Sequence, residues 1–143
     1  MLDQNKRLVQ DSFNNQIQPI SDAAASLFYA RLFELDPSLR ELFKRDMAVQ
    51  RRMLMSVLAT AINGLDDLDA LVPVVENLGR RHVGYGVKDE HYDTVGQALL
   101  DALQQGLGDD FTPEIRAAWA EAYTLLATVM RNAAKGAEAA VAP

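Results

Sequence analysis

The stretch Leu71-Val72-Pro73-Val74-Val75-Glu76-Asn77-Leu78-Gly79-Arg80-Arg81-His82-Val83-Gly84-Tyr85-Gly86-Val87-Lys88-Asp89-Glu90-His91-Tyr92 decides how the chain is read. Leu71, Val75, Leu78 and His82 follow one another at spacings of four, three and four, which places them on one face of a helix. That face is apolar until it reaches the imidazole, so His82 is expected to project inward. Gly84 and Gly86 stop the helix, and Asp89 has the chemistry of an N-cap for the next one, which carries Tyr92.

Outward from this run the pattern stays helical, and no strand pattern competes. Val9, Phe13 and Ile17 keep helical spacing up to Pro19, and Ser21 or Asp22 is expected to cap a second helix facing inward with Ala25, Tyr29, Leu32 and Phe33. Asp36-Pro37 ends that helix and starts a short one, since proline suits a first turn. A long helix over about 48–63 places Gln50, Leu54, Val57, Leu58 and Ala61 on one face, with Gly64 as terminator. The helix with Tyr92, Val95, Leu99, Ala102 and Leu103 ends at Gly106 or Gly108, and Thr112-Pro113 opens the last, which buries Ile115, Trp119, Ala122, Leu126 and Val129. Seven helices make one all-α domain over 1–134, and 135–143 reads as a disordered tail.

Composition narrows the function. The 143 residues suffice for one core, and 49% apolar with 24% charged is ordinary for a soluble globular chain. No apolar run is long enough to span a membrane, and no signal peptide opens the chain, so a cytoplasmic location is the default. A net charge of −6 argues against nucleic acid as a partner. The absence of cysteine excludes disulfides, thiolate metal sites and iron–sulfur clusters, and two histidines cannot build a multi-histidine site. No paired acids, phosphate loop or nucleophile elbow is present.

His82 therefore has two readings: a core histidine bonded to a backbone carbonyl, or a single axial ligand to an iron porphyrin. The helix break behind it leaves room for a flat ligand, and Tyr92 can support the imidazole. Tyr29 and Gln50 each have an ordinary reading, as a packed tyrosine and a solvated amide. Together they can donate hydrogen bonds to a diatomic ligand while leaving a sixth iron position open. His91, among Asp89, Glu90 and Asp93, reads as a solvated helix terminus; Arg80 and Arg81 face solvent, one of them a candidate partner for a haem propionate.

Over nearly its whole length the chain resembles a globin, closest to single-domain bacterial haemoglobins related to the globin domain of flavohaemoglobins. The resemblance rests on Leu27-Phe28-Tyr29-Ala30-Arg31-Leu32-Phe33, Leu42-Phe43, Gln50 through Leu54, Leu78-Gly79-Arg80-Arg81-His82, Tyr85-Gly86-Val87, His91-Tyr92 with Val95-Gly96, and Phe111-Thr112-Pro113 with Ala118-Trp119. It implies a three-over-three helical sandwich whose fourth helix is short or absent. It also implies non-covalent haem b with His82 as proximal iron ligand, Phe43 against the porphyrin, Tyr29 and Gln50 as the distal pair, Leu54 as the distal wall and Tyr92 as the proximal tyrosine. Val57, Leu78, Val87 and Val95 complete the expected haem contacts.

The activity implied is reversible binding of O₂, CO and NO by a monomer or homodimer. The alternative is a nitric oxide dioxygenase using Tyr29 and Gln50, with an external reductase because no flavin or nicotinamide domain accompanies the globin part; gas sensing through a partner protein ranks last. One departure stands out. The glutamate that such globins carry behind the proximal tyrosine aligns, from Trp119, with Ala134.

Overall fold

A computed structural model describes residues 1–141, with side chains through residue 136. Helix α1 (Asp3–Ser12) runs into a wide π turn (Phe13–Ile17) and a tight 3-10 turn (Gln18–Ile20) before α2 (Ser21–Leu35). Pro19 has no N–H to continue a regular ladder, and the change of pitch carries the chain past it while Val9, Phe13 and Ile17 all stay buried. The chain thus reaches α2 already helical. Neither Ser21 nor Asp22 caps it, contrary to expectation; Ile20 holds the N-cap position without a side-chain bond.

The next starts are capped by side chains, at Asp36 and Thr112 where the sequence signals them and at Asp46 and Asp67 besides. The Asp36 carboxylate accepts from the Ser38 N–H at 3.1 Å and opens a 3-10 helix at Pro37–Leu42. Only Phe43–Asp46 then separates it from α3 (Met47–Asn63), so no fourth helix intervenes. Asp46 accepts from Ala48 N–H at 2.8 Å, Asp67 from Ala70 N–H at 3.3 Å to open α4 (Leu68–Gly84), and Thr112 Oγ1 from Ile115 N–H at 3.3 Å to open α6 (Pro113–Val141). Between these, α5 (His91–Leu107) ends at Gly108, whose φ of 57° suits glycine. Helix α6 thus takes in much of the stretch read as a tail; the last two residues lie outside the described part.

Burial of matching faces holds the layers together. Helix α4 packs against α6, α2 against α5, and α1 against α6. Trp119, 1% exposed, is central: its ring is 6.3 Å from that of Phe13 and its Nε1 donates to Ser12 Oγ at 2.8 Å. Gly79 lets α4 approach the backbone of α6 at Met130 closely.

Helix α3 carries the face the sequence groups together, and that face is only partly buried. Its buried residues are Met55 and Ile62, whereas Gln50, Leu54, Leu58 and Ala61 are half-buried and Val57 is 41% exposed. The physical reason is the neighbours: α3 leans on α2 and has almost no contact with α4. Its apolar stripe is therefore only partly covered by protein.

Candidate functional site

One half of the site hangs from α2. Tyr29 is buried, and Gln50 Nε2 donates to its hydroxyl at 3.2 Å, tying α3 to α2. Burial raises the Tyr29 pKa and the Gln50 bond opposes this only in part, so the phenol keeps its proton. Around it stand Phe28 at 5.0 Å, Phe43 at 5.3 Å edge-on and Phe33 at 6.0 Å, with Phe33 also 5.6 Å from Phe43. Such edge-to-face and offset contacts fix ring orientations. Arg40 covers the outer face of Phe33 at 5.3 Å.

The other half lies at the end of α4. Leu71 and Val75 are buried, Leu78 and His82 half-buried, so the face emerges from the core as it nears the imidazole. The helix closes through Tyr85 N–H to His82 O at 3.1 Å, Gly86 N–H to Val83 O at 3.1 Å and Val87 N–H to His82 O at 3.0 Å, with Gly86 at φ 87°. Tyr85 and Tyr92 meet the imidazole edge-on at 6.1 and 6.4 Å. A Cβ at Gly86 would lie 3.4 Å from the Leu42 side chain, so this turn abuts the residue before Phe43 and joins the two halves at one end.

His82 Nδ1 is buried and has no hydrogen-bond partner among the described residues. Burial first, and the Arg81 charge second, hold the imidazole below its ordinary pKa, so it is neutral at pH 7. A neutral imidazole offers a lone pair, which is what a metal centre requires of it. Phe43, Leu54 and Val95 are half-buried against the core, and Leu78 and Val87 are half-buried as well. With α3 and α4 standing apart, these residues fit a flat, mostly apolar macrocycle held by one nitrogen. Val57 is the most open of the expected contacts.

Two expectations change here. Asp89 does not cap α5, which starts at His91 after a turn in which His91 N–H meets Lys88 O at 3.0 Å. The Asp89 carboxylate instead lies 3.5 Å from Arg131 Nε. His91 is half-buried, and its Nδ1 accepts from Lys88 N–H at 3.0 Å, which locks the turn. Arg80 and Arg81 are exposed, as expected. The sequence reading missed Phe33 and Tyr85 as ring partners, although Tyr85 stands one turn beyond His82. It also missed Arg131, whose guanidinium lies 5.3 Å from the centre of the Tyr92 ring; no local pattern points to a contact between α5 and α6.

The model of the family described as Globin matches residues 26–130. The flavohemoprotein of Bacillus subtilis is 35% identical over 114 residues, 78% of this chain and 29% of that protein, so this chain spans about a third of the length of such relatives. An engineered carbene transferase from Rhodothermus marinus, whose parent carries the name of a nitric oxide dioxygenase, superposes with a TM-score of 0.89 and 31% identity over 100% of this chain and 99% of that one. A bacterial globin of Campylobacter jejuni matches with a TM-score of 0.82 and 24% identity over 94% and 97% of the two chains.

Proposed function

The chain belongs to the globin family, and from that premise we propose that it binds haem b through His82 and uses it to bind O₂ reversibly, with CO and NO as further ligands. Globin and flavohemoprotein relatives imply haem binding, and the single observation that carries the finer reading is the Tyr29–Gln50 pair on the α3 side, opposite in kind to the neutral imidazole. Among the described residues no helix is long and apolar enough to cross a membrane.

Bound haem supplies a ferrous iron with a coordination position for a diatomic gas. His82 gives that iron its protein nitrogen, and Phe43, Leu54, Leu78, Val87 and Val95 exclude water from the macrocycle faces. Tyr29 keeps its proton and so serves as hydrogen-bond donor to a polarised ligand. Gln50 orients the phenol by donating to its oxygen, which leaves the Tyr29 O–H itself available. Tyr92 backs the imidazole from the other side. In this reading Tyr29 and Gln50 slow oxygen release.

Tyr29→Phe removes one hydrogen bond worth about 1 kcal/mol, and oxygen dissociation is expected to accelerate roughly 5- to 10-fold. Stopped-flow displacement of O₂ by CO measures it. An unchanged rate would take Tyr29 out of the mechanism, and a protein without Soret absorption after haem addition would defeat the reading as a whole.

A second reading, conversion of NO and O₂ to nitrate with an external reductase supplying one electron per turnover, is favoured by the full-length likeness to the Rhodothermus marinus protein. Catalytic nitrate formation with NADH, a flavin reductase and repeated NO additions separates it from stoichiometric oxidation, which would stop after one equivalent.

A further inference from the structure

The proximal tyrosine has a cation on its ring. Arg131, on α6, places its guanidinium carbon 5.3 Å from the centre of the Tyr92 ring. Three contacts hold it there: Nη2 donates to Asp93 Oδ1 at 2.7 Å and to the Asp89 backbone oxygen at 3.3 Å, and Nε lies 3.5 Å from Asp89 Oδ1. The arginine side chain is 27% exposed while Asp89 and Asp93 are 63% and 82% exposed. Water therefore screens the two carboxylates far more than the cation they hold. Tyr92 is buried and meets the His82 ring edge-on at 6.4 Å.

The same turn of α6 also reaches His82 through the backbone. A Cβ at Gly79, three residues before His82, would lie 2.5 Å from Met130 O. Met130 and Arg131 are consecutive, so one turn of α6 braces both the helix of the histidine and the tyrosine beside it. Ala134, buried one turn on, adds no charge.

We propose that Arg131 is a positioning residue of the proximal side: held over Tyr92 by Asp89 and Asp93, it fixes that ring against His82 and sets there a positive charge that favours ferrous over ferric iron in a haem ligated by His82. This rests on the haem reading above. The sign follows from electrostatics. Ferric haem carries one more positive charge than ferrous, so a nearby guanidinium disfavours it. The guanidinium is no more than about 12 Å from the imidazole; at that range, and at an effective dielectric near 20, one unit charge shifts an equilibrium at most roughly tenfold, since Asp89 and Asp93 oppose it and the iron lies beyond the imidazole. A cation against the face of an aromatic ring also withdraws density from it.

The test is spectroelectrochemistry of the haem-reconstituted chain, with thermal unfolding of the same samples. In Arg131→Met the ferrous-to-ferric ratio at fixed applied potential is expected to fall severalfold, with an upper limit of about tenfold, which for one electron is about 59 mV. Arg131→Lys, which keeps the charge with fewer hydrogen bonds, stays within about threefold of wild type. Arg131→Gln, which removes the charge and keeps a polar side chain, is expected to lower the ratio as Arg131→Met does. An unmoved ratio in Arg131→Met, with a lowered melting temperature, would make Arg131 a structural tie alone and overturn the proposal. If Arg131→Met does not fold, Arg131→Gln decides, and no shift there overturns the proposal. Loss of the haem reading looks different: a wild type without a Soret band, or one whose spectrum His82→Ala leaves unchanged.

Discussion

Gly79→Ala sets two known effects against each other at one position. Gly79 is inside α4, where alanine is the better helix former by about 1 kcal/mol. Propensity alone predicts stabilisation. The structure predicts the reverse, because the new Cβ would sit 2.5 Å from Met130 O, 2.8 Å from its Cα and 3.0 Å from its carbonyl carbon. Ordinary contacts need about 3.5 Å or more, so α4 and α6 would have to separate by roughly 0.5 to 1 Å. No rotamer relieves this, since both partners are backbone. Overpacking costs about 1–3 kcal/mol, and a backbone-on-backbone clash belongs at the upper end. The net is a loss of about 2 kcal/mol, or roughly 6–8 °C in Tm for a domain of this size. Gly84 supplies the control: it lies in the same helix with nothing within 4 Å of its Cβ position, so Gly84→Ala is expected to hold Tm or raise it by a few degrees. Thermal unfolding of the apoprotein by far-UV circular dichroism reads both. A Gly79→Ala Tm at or above wild type would refute the close crossing of α4 and α6, and with it the bracing of His82 by α6.

Two further outcomes follow from buried polar groups. Ser12→Ala leaves the Trp119 indole N–H buried without its acceptor, at about 1–3 kcal/mol; urea unfolding followed through the one tryptophan should show a lower midpoint, and an unchanged midpoint would reject the bond. The apoprotein should also lose stability as pH falls. The His82 pKa is lowered in the folded state, so its contribution is whole above the unfolded pKa of about 6.5 and shrinks below it as the unfolded chain takes up the proton first. His82→Gln should flatten that part of the curve, and an identical acid limb in the variant would show that His82 is not desolvated.

Spacing in the sequence exposed what a single helix does with its own faces. Val9, Phe13 and Ile17 are all buried, as are Leu71 and Val75, even though the first three cross from α into π geometry. Starts written in local chemistry, at Asp36-Pro37 and Thr112-Pro113, were legible too, because the capping side chain is two or three residues from the N–H it serves. Local chemistry failed where a side chain had a distant alternative. The Asp89 carboxylate can cap a helix or pair with a cation, and Arg131, forty-two residues away, decides for the second. For α3 the sequence places Gln50, Leu54 and Val57 on one face as expected haem contacts, and the protein itself covers that face only in part. Periodicity reports that a face avoids water and cannot say what it meets instead.

The two sides of the site are built differently, and this difference bears on how the chain can be tuned. On the Tyr29 side, short-range ring contacts and one amide bond come from α2, α3 and the segment between them. Each partner there can touch a ligand or another residue that does, so substitutions change ligand binding and packing at once. On the His82 side, the imidazole meets the rings of Tyr85 and Tyr92, and α6 sets the charge of Arg131 against the second of them. A substitution on α6 can therefore alter the electrostatics felt at His82 without touching either the ligand pocket or the imidazole. With Ala134 uncharged, the cation at Arg131 is the nearest charge of α6 to Tyr92 among the contacts described. Under the function and the further inference proposed above, a change at Arg131 would move the iron potential, whereas a change at Tyr29 would move the ligand off-rate.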